Sequence, residues 1–344
     1  MIDKFLRFFL LVSPIAYTTG ISLNLFDIMF FRLGSMMLFC ASLFDKPKRN
    51  INLATPIALI MGLCLFNLSA HAFNPITFSY TVNMFLALLS LSIIVNYASP
   101  LKEFSKWIVG AALINIFVLI IQKFGFNPFF SHNPEEGGLM GNAPRLASYL
   151  TIVLPVLFNY SIVFILLIFV VAIVLKEYTL LGVGIIYLFL RFKNKVVRSI
   201  IVGVSLSAIA LLHHQLIFSL VRVRWVVWKP TLEAIFNHPL NGYGLGLFSN
   251  LSSQVVGIKG YLVENAFNSY FDFVFGAGLL GLVLIGLGIK GFVKHFDLSI
   301  ESLSVLALLI LCFSESPLEI PKLWFTIIAV IGLFIIKANK EVAC

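Results

Sequence analysis

The polar stretch Ile217–Phe267 holds more groups able to carry charge or form hydrogen bonds than any other break between the apolar segments. Arg222 and Arg224 lie near its start. Guanidinium groups fork onto phosphate oxygens, and several together can hold a diphosphate. We predict that Arg145 and Lys176, from earlier in the chain, reach the same face and join them. The alternative for all four is that they extend towards lipid headgroups.

A carboxylate or an imidazole near the reacting group is the usual general acid or base in proton transfer. Glu264 lies at the predicted mouth of an apolar segment, where partial desolvation would raise the pKa of its carboxyl group towards that of a useful base. Asp272 lies one turn into that segment and needs a partner or a wet cavity. His238 precedes Pro239 and is either an acid/base group or the cap of a short helix. These three residues are the candidate catalytic groups.

Gly242, Gly244 and Gly246 stand at alternate positions in the same stretch. A nucleotide-binding loop would need a soluble strand before it and a helix after it, and the sequence predicts neither. The spacing allows either close approach of backbone amides to a ligand or a tight re-entrant turn. The sequence contains neither an Asp-x-Asp pair nor a cluster of His and Cys ligands, so we predict no metal and no cofactor.

The composition indicates which elements must position these residues. The chain has 344 residues, of which 60% are hydrophobic and 11% charged, whereas a soluble domain has about 25% charged residues. Repeated apolar segments then predict an all-α polytopic membrane protein that forms a single domain, 1–344. About twelve spans are predicted, at 5–23, 26–44, 52–70, 78–97, 106–124, 143–158, 161–175, 178–190, 199–216, 268–289, 299–314 and 322–336.

The net charge of +9 does not indicate nucleic-acid binding. Most of the 24 Lys and Arg residues fall in short loops on one predicted side or at the termini. This is the positive-inside bias, which orients a membrane protein. It leaves two long loops on the outer face, 126–141 and 217–267, and long loops are usually functional. Arg32 falls within the second predicted span, and a structural pair with Asp27 is the simpler interpretation of it.

Several short motifs follow one another between about residues 110 and 285. They are Gln122-Lys-Phe-Gly125, Gly141-Asn-Ala-Pro-Arg145, Arg224-x-x-x-Trp228, His238-Pro239-Leu-x-Gly242-x-Gly244-x-Gly246-x-Phe248, Asn268-Ser-Tyr270 and Gly278-Leu-Leu-Gly281. In this order, and in a frame of about twelve spans, they resemble the O-antigen polymerase and O-antigen ligase superfamily. The resemblance implies a GT-C-like glycosyltransferase in the bacterial inner membrane, with its active face in the periplasm.

The resemblance also implies partners and roles. The donor would be an undecaprenyl-diphosphate-linked oligosaccharide, used without a metal or a nucleotide sugar. Basic residues of the outer loops would hold its diphosphate, a role open to Arg145, Arg222 and Arg224. Lys176 stands near the position of a Ser-Arg pair in the family. The glycine segment with Asn268 and Tyr270 would form a substrate loop, membrane lipids would surround the protein, and a separate protein could regulate chain length.

Two departures from the family pattern favour polymerase over ligase. The ligases carry a His directly before the Asn that Asn268 matches, and this chain has Phe267 there. They also tend to have Glu where this chain has Gly276. Since Phe cannot accept a proton, Glu264 is the first choice for the base. The sequence therefore predicts a polymerase of lipid-linked repeats, with a ligase that acts on lipid A-core and a transporter of lipid-linked sugars as alternatives.

Overall fold

The computed structural model describes residues 1–15, 23–126, 138–161, 163–192, 224–255 and 265–342, with residues 194, 196, 198, 199 and 203. Arg222 and Glu264 lie outside the described residues, as do most of the predicted span 199–216 and most of the loop 126–141. The elements in the described part of the chain are helices, as the composition predicts.

The helix bounds follow the predicted apolar segments along most of the chain. The first helices are α1 (Ile2–Val12), α2 (Leu23–Ser42), α3 (Ala54–Ala70), α4 (Pro75–Tyr97), α5 (Ser105–Lys123), α6 (Ala143–Tyr160), α7 (Val163–Leu175) and α8 (Tyr178–Arg191). The later ones are α9 (Arg224–Asn237), α10 (Phe248–Val255), α11 (Ser269–Lys294), α12 (Ile300–Ser314) and α13 (Trp324–Val342). Helices α9 and α10 lie in the stretch predicted to be a water-facing loop.

Four helical segments of the described chain are long and apolar enough to cross a membrane, namely Pro75–Tyr97, Ser105–Lys123, Ser269–Lys294 and Pro321–Asn339. Shorter apolar helices accompany them, such as Ala54–Ala70 and Ile300–Ser314. The protein is thus a helical membrane protein, but the described residues do not provide twelve full-length spans. The physical reason is length: a helix of about 15 residues is only about 22 Å long, less than the roughly 30 Å of a bilayer core.

Helix α6 lies at the centre of the helical core. Every residue from Leu146 to Phe158 is buried, including Pro155 within the helix. A helix that is apolar on all sides must be surrounded by others, and α6 packs against α5, α7, α8 and α12. The Tyr149 hydroxyl donates to the carbonyl of Ile108 at 3.2 Å, so even the polar end of this buried side chain has an acceptor.

Helix α11 is broken at Gly278, which has φ 62° and ψ −151°. The break releases backbone groups from the helical pattern, and the glycine segment after α9 binds them. The amides of Tyr243 and Gly244 donate to the carbonyls of Phe275 and Gly276 at 2.8 and 3.1 Å, and the amide of Leu279 donates to the carbonyl of Pro239 at 2.6 Å. Within an apolar layer, broken backbone is tolerated only where protein satisfies it in this way.

Asn67 of α3 holds the same junction from the other side. Its amide nitrogen donates to the carbonyls of Gly276 and Asn241 at 2.8 and 3.1 Å, and its amide oxygen accepts from the backbone of Leu245 at 2.8 Å. The glycine segment therefore forms the tight re-entrant turn, one of the two arrangements that its spacing allows. The amides of Tyr243, Gly244 and Leu245 bind protein oxygens, and the substrate-loop role of Gly242, Gly244 and Gly246 stays a prediction.

The junction predicts a contrast between two glycines. Gly242 has φ 64°, and a Cβ there would lie 2.5 Å from the Phe275 carbonyl oxygen, whereas a Cβ on Gly286 would meet nothing within 4 Å. Because both backbone strain and a backbone clash oppose it, Gly242→Ala should destabilise the protein by about 2–4 kcal/mol. Gly286→Ala should be neutral or slightly stabilising. Thermal unfolding in detergent measures both, and equal midpoints for the two variants would contradict the proposed packing.

Candidate active site

Arg224 is the first residue of α9, which packs beside α11. Its Nη2 donates to Oε1 of Glu315 at 2.5 Å, and each of the two side chains is only 15% exposed. The other terminal nitrogen, Nη1, is buried and has no hydrogen-bond partner among the described residues. Within that part of the chain, the guanidinium group is held through one terminal nitrogen, and the other lacks an acceptor.

Asp272 lies in the first turn of α11 and is half-buried. Its Oδ1 accepts from the backbone of Ala266 at 2.7 Å, and its Oδ2 accepts from the hydroxyl of Ser316 at 2.5 Å. The partner that a carboxylate at this depth requires is thus present. Each carboxylate oxygen has two lone pairs, so both oxygens can accept a further hydrogen bond.

A closed set of contacts joins these two predicted site residues. The indole nitrogen of Trp228, one turn after Arg224 on α9, donates to the carbonyl of Ala266 at 2.8 Å. We call this set the Arg224–Asp272 ring, and its members are Arg224, Glu315, Ser316, Asp272, Ala266 and Trp228. The structure therefore links the arginine and the carboxylate through one set of contacts, although 48 positions separate them in the sequence, from 224 to 272.

Asn268 and Tyr270, predicted to belong to a substrate loop, anchor the start of α11. The side-chain oxygen of Asn268 accepts from the amides of Tyr270 and Phe271 at 3.0 and 3.1 Å, and its amide nitrogen donates to the carbonyl of Phe313 at 3.0 Å. The hydroxyl of Tyr270 donates to the carbonyl of Leu309 at 2.9 Å. The contacts of Asn268 with Tyr270 and Phe271 cap the N-terminus of α11. The contacts with Phe313 and Leu309 hold α11 against α12 beside the Arg224–Asp272 ring.

The turn between α7 and α8 contributes its glutamate to this site. Lys176 has φ 57° and an exposed side chain, whereas Glu177 is half-buried and interacts electrostatically with Glu315 and Arg224. Burial, followed by the repulsion of Glu315, raises the pKa of Glu177 to about 7, against an opposing effect of Arg224. Burial also raises the pKa of Glu315, although Arg224 favours its charged form.

Arg145 lies in a different group of charges. It is half-buried at the start of α6, where Asn142 caps the helix by accepting from its amide at 3.0 Å. Its charge interacts with those of Asp27 and Lys322, which are 5% and 3% exposed. Arg32 does not pair with Asp27 as the sequence suggested. Instead, it donates to Asn83 and Ser79 of α4 at 2.8 and 2.7 Å.

His238 follows α9 at the end opposite to Arg224, and fourteen helical residues separate the two ends. At 1.5 Å per residue this is about 20 Å. The imidazole is exposed and packs edge-on against the ring of Tyr243, with 4.4 Å between centroids. The structure therefore does not bring His238 to Arg224, and its carbonyl accepts from Gly242 in the turn that follows α9.

The sequence interpretation missed the acidic residues of the loop after α12. Glu315 and Ser316 belong to the ring, and Glu319 follows in a short 3-10 turn, Pro317–Glu319. The side chain of Glu319 has accessible surface, but many protein atoms lie around it and displace water. This loss of hydration, followed by the repulsion of the Asp272 carboxylate, raises the pKa of Glu319. The signal in the sequence is two carboxylates in one short polar break between apolar segments.

Within the described residues, no group of three or more His, Cys, Asp or Glu is placed to hold a metal.

No model of a known protein family matches the chain, and a search of curated proteins finds no match.

Glu177 predicts a specific pH dependence of stability. Folding raises the pKa of this carboxyl group from 4.5 to about 7. Such a group contributes fully to stability at a pH below 4.5, and this contribution is lost as the pH rises through about 7. Glu177→Gln removes the titration, so the variant should gain thermal stability relative to the wild type between pH 5 and pH 8, by about 2–4 °C.

Glu233→Gln is the matched control, since Glu233 is 65% exposed on α9 and lies 4.0 Å from Lys229. Its unfolding midpoint should differ from that of the wild type by the same amount at both pH values. The interpretation of Glu177 fails if the Glu177→Gln variant also stays parallel to the wild type across this range.

Proposed function

We propose that this protein is a polymerase of lipid-linked glycan repeats that acts at the periplasmic face of the bacterial inner membrane. The observation that carries the proposal is the Arg224–Asp272 ring. It joins a guanidinium group suited to a diphosphate with a carboxylate suited to proton transfer, and both were candidate site residues on the sequence alone. The resemblance of the motifs between about 110 and 285 to O-antigen polymerases and ligases supplies the substrate class.

In the proposed reaction, the terminal sugar hydroxyl of one lipid-linked repeat attacks the anomeric carbon of the glycan on a second lipid. The new bond joins the hydroxyl oxygen to that carbon, and the bond from the carbon to the diphosphate oxygen breaks. The electron pair of the broken bond stays on the undecaprenyl diphosphate, which leaves. The hydroxyl proton passes to a carboxylate and then to solvent or to the released diphosphate.

Arg224 would stabilise the negative charge that develops on the leaving diphosphate, the usual use of arginine at such a site. Asp272 is the described carboxylate that fits the proton acceptor, since each of its oxygens retains a lone pair. Glu264, the first choice from the sequence, stays a prediction, as do the diphosphate contacts of Arg222, Arg145 and Lys176. Arg145 interacts with Asp27 and Lys322 and is not part of the Arg224–Asp272 ring. Arg145 would therefore contact the donor at a second point, separate from Arg224.

The complete architecture proposed is a GT-C-like bundle of about twelve crossings. In it, the shorter apolar helices such as Ala54–Ala70 and Ile300–Ser314 would contribute to the crossings. The proposed partners are undecaprenyl-diphosphate-linked oligosaccharide, membrane lipids and a protein that sets chain length. The protein would need no metal, no cofactor and no nucleic acid.

Disruption of the gene in its source organism separates the proposed function from its alternatives. A gel of the lipopolysaccharide should lose its ladder and retain core with a single repeat if the protein is the polymerase. Bare core, with long glycan accumulating on undecaprenyl diphosphate, would identify a ligase. An unchanged ladder would contradict both activities and favour transport or another surface polysaccharide.

The role of Arg224 predicts the result of one substitution. Arg224→Ala, expressed in the disrupted strain, should abolish polymer formation while the protein still inserts in the membrane, because the leaving diphosphate loses its counter-charge. A loss of at least about 100-fold in polymer yield is expected for a group of this kind. Lys229→Ala is the matched control, since Lys229 is 65% exposed on the same helix. Normal chain length in the Arg224→Ala strain would rule out the diphosphate role.

A further inference from the structure

We propose that Glu315 is a positioning residue for Arg224, and that the consecutive residues Glu315 and Ser316 set the separation between the Arg224 guanidinium and the Asp272 carboxylate. The inference rests on the glycan transfer proposed above. It adds two residues to that site, and the short loop between α12 and α13 supplies both.

The first argument is the contact itself. Arginine side chains have many rotamers, and an exposed arginine samples them at little cost. Here Nη2 of Arg224 lies 2.5 Å from Oε1 of Glu315, and both side chains are 15% exposed. If either partner of such a pair is removed, the other is left as an uncompensated charge out of water. Glu315 therefore restrains the Nη2 end of the Arg224 side chain.

The second argument is that the backbone of Glu315 is itself fixed. Its amide donates to the carbonyl of Leu311 at 2.7 Å, which closes the last turn of α12. Its carbonyl accepts from the amide of Ser269 at 3.1 Å, at the first residue of α11. The carboxylate that holds Arg224 thus extends from a point tied to the ends of two helices, so it can act as a reference for the arginine.

The third argument is the role of the next residue. Ser316 is 4% exposed, and its hydroxyl donates to Oδ2 of Asp272 at 2.5 Å. Consecutive Cα atoms are about 3.8 Å apart, so the residue that holds the cation and the residue that holds the carboxylate cannot move independently of each other. A transfer reaction needs this arrangement, because its rate depends on how well the acid/base and charge-stabilising groups are aligned.

The fourth argument is the part of the guanidinium group that Glu315 does not use. Nη1 of Arg224 is buried and finds no hydrogen-bond partner in the part of the chain that the structure describes. Buried donors in native proteins nearly always have an acceptor, so an orphaned one requires an explanation. A phosphate oxygen of the bound donor would satisfy Nη1 while Nη2 stays on Glu315. This assigns the two nitrogens different tasks, one for position and one for substrate.

The test uses the full-length protein in lipid nanodiscs with a synthetic polyprenyl-diphosphate-linked repeat, and it measures initial rates of chain extension against repeat concentration. Glu315→Gln should lower kcat/KM roughly 10- to 100-fold, mainly through a higher KM, because a misaligned arginine binds the diphosphate poorly. Glu315→Asp, which keeps the charge, should recover part of the loss. Ser316→Ala should lower kcat more than KM, because it releases Asp272 and leaves Arg224 in place.

Two further variants separate positioning from folding. Glu233→Gln makes the same chemical change at an exposed site of α9 and should keep the wild-type rate. The double variant Arg224→Ala with Glu315→Gln should be no slower than Arg224→Ala alone, because a residue that acts only through Arg224 has nothing left to position. If Glu315→Gln does not fold, Glu315→Asp tests the proposal instead. A kcat/KM of Glu315→Asp between those of the wild type and Arg224→Ala, with an unchanged unfolding midpoint, supports the proposal.

A wild-type kcat/KM in Glu315→Gln, or in a folded Glu315→Asp when the Gln variant does not fold, overturns the positioning role and leaves the polymerase proposal standing. An additional loss in the double variant also overturns it, since Glu315 would then act independently of Arg224. If the wild-type protein extends no chain while Arg224→Ala and wild type behave alike in the cell, the proposed function itself fails, and the positioning role fails with it.

Discussion

The structure depends on one constraint, that backbone and charged groups inside an apolar protein must find their partners within it. Helix α11 is where this constraint is strictest, because Gly278 breaks the helix and releases carbonyls at residues 275 and 276. No water is available in a bilayer core to satisfy such groups. The segment after α9 therefore folds back onto the break. Asn67 of α3 forms hydrogen bonds with both this segment and α11. The position of α9 follows from this attachment at its far end.

The same constraint acts at the other end of α9, where it concerns side chains. Arg224 begins the helix and meets Glu315, while Trp228 binds the backbone just before α11. Helix α9 is thus held at one end by backbone hydrogen bonds and at the other by a buried ion pair. Because a buried pair contributes little net stability once the loss of hydration is counted, its value here is in geometry. It holds Nη2 of Arg224 on the loop whose next residue, Ser316, donates to Asp272, while Nη1 has no partner among the described residues.

The chemistry proposed for the site depends on a balance of charges. Glu177 and Glu315 interact electrostatically with Arg224, and Glu319 interacts with Asp272; desolvation raises the pKa of all three glutamates. A carboxyl group with a raised pKa is a better proton acceptor near neutral pH than a solvated one. A site rich in such groups suits a reaction in which a hydroxyl must lose a proton, and in the proposed reaction Arg224 would supply the opposite charge for the leaving diphosphate.

Much of the helical framework could be predicted from the sequence, because apolar segments of helical length need no tertiary information. The bounds of α3 to α8 and the assignment of Arg224 and Asp272 as site candidates rest on composition and position alone. The same approach could not recognise α9, since its residues are neither uniformly apolar nor clearly periodic. Nor could it find Glu315 or Ser316, because their importance comes from contacts with Arg224 and Asp272, which lie 91 and 44 positions away.

The amino-acid sequence by itself determined that this is a helical membrane protein with most of its polar and charged groups in a few polar breaks, since burial of apolar side chains depends on composition and periodicity. Only the tertiary structure decided which of those groups meet. It joined Arg224 to Asp272 through the loop after α12, placed Arg145 with Asp27 and Lys322, and left His238 at the far end of α9. The physical reason is that hydrogen bonds and ion pairs act over about 3–4 Å, whereas the partners stand tens of positions apart along the chain.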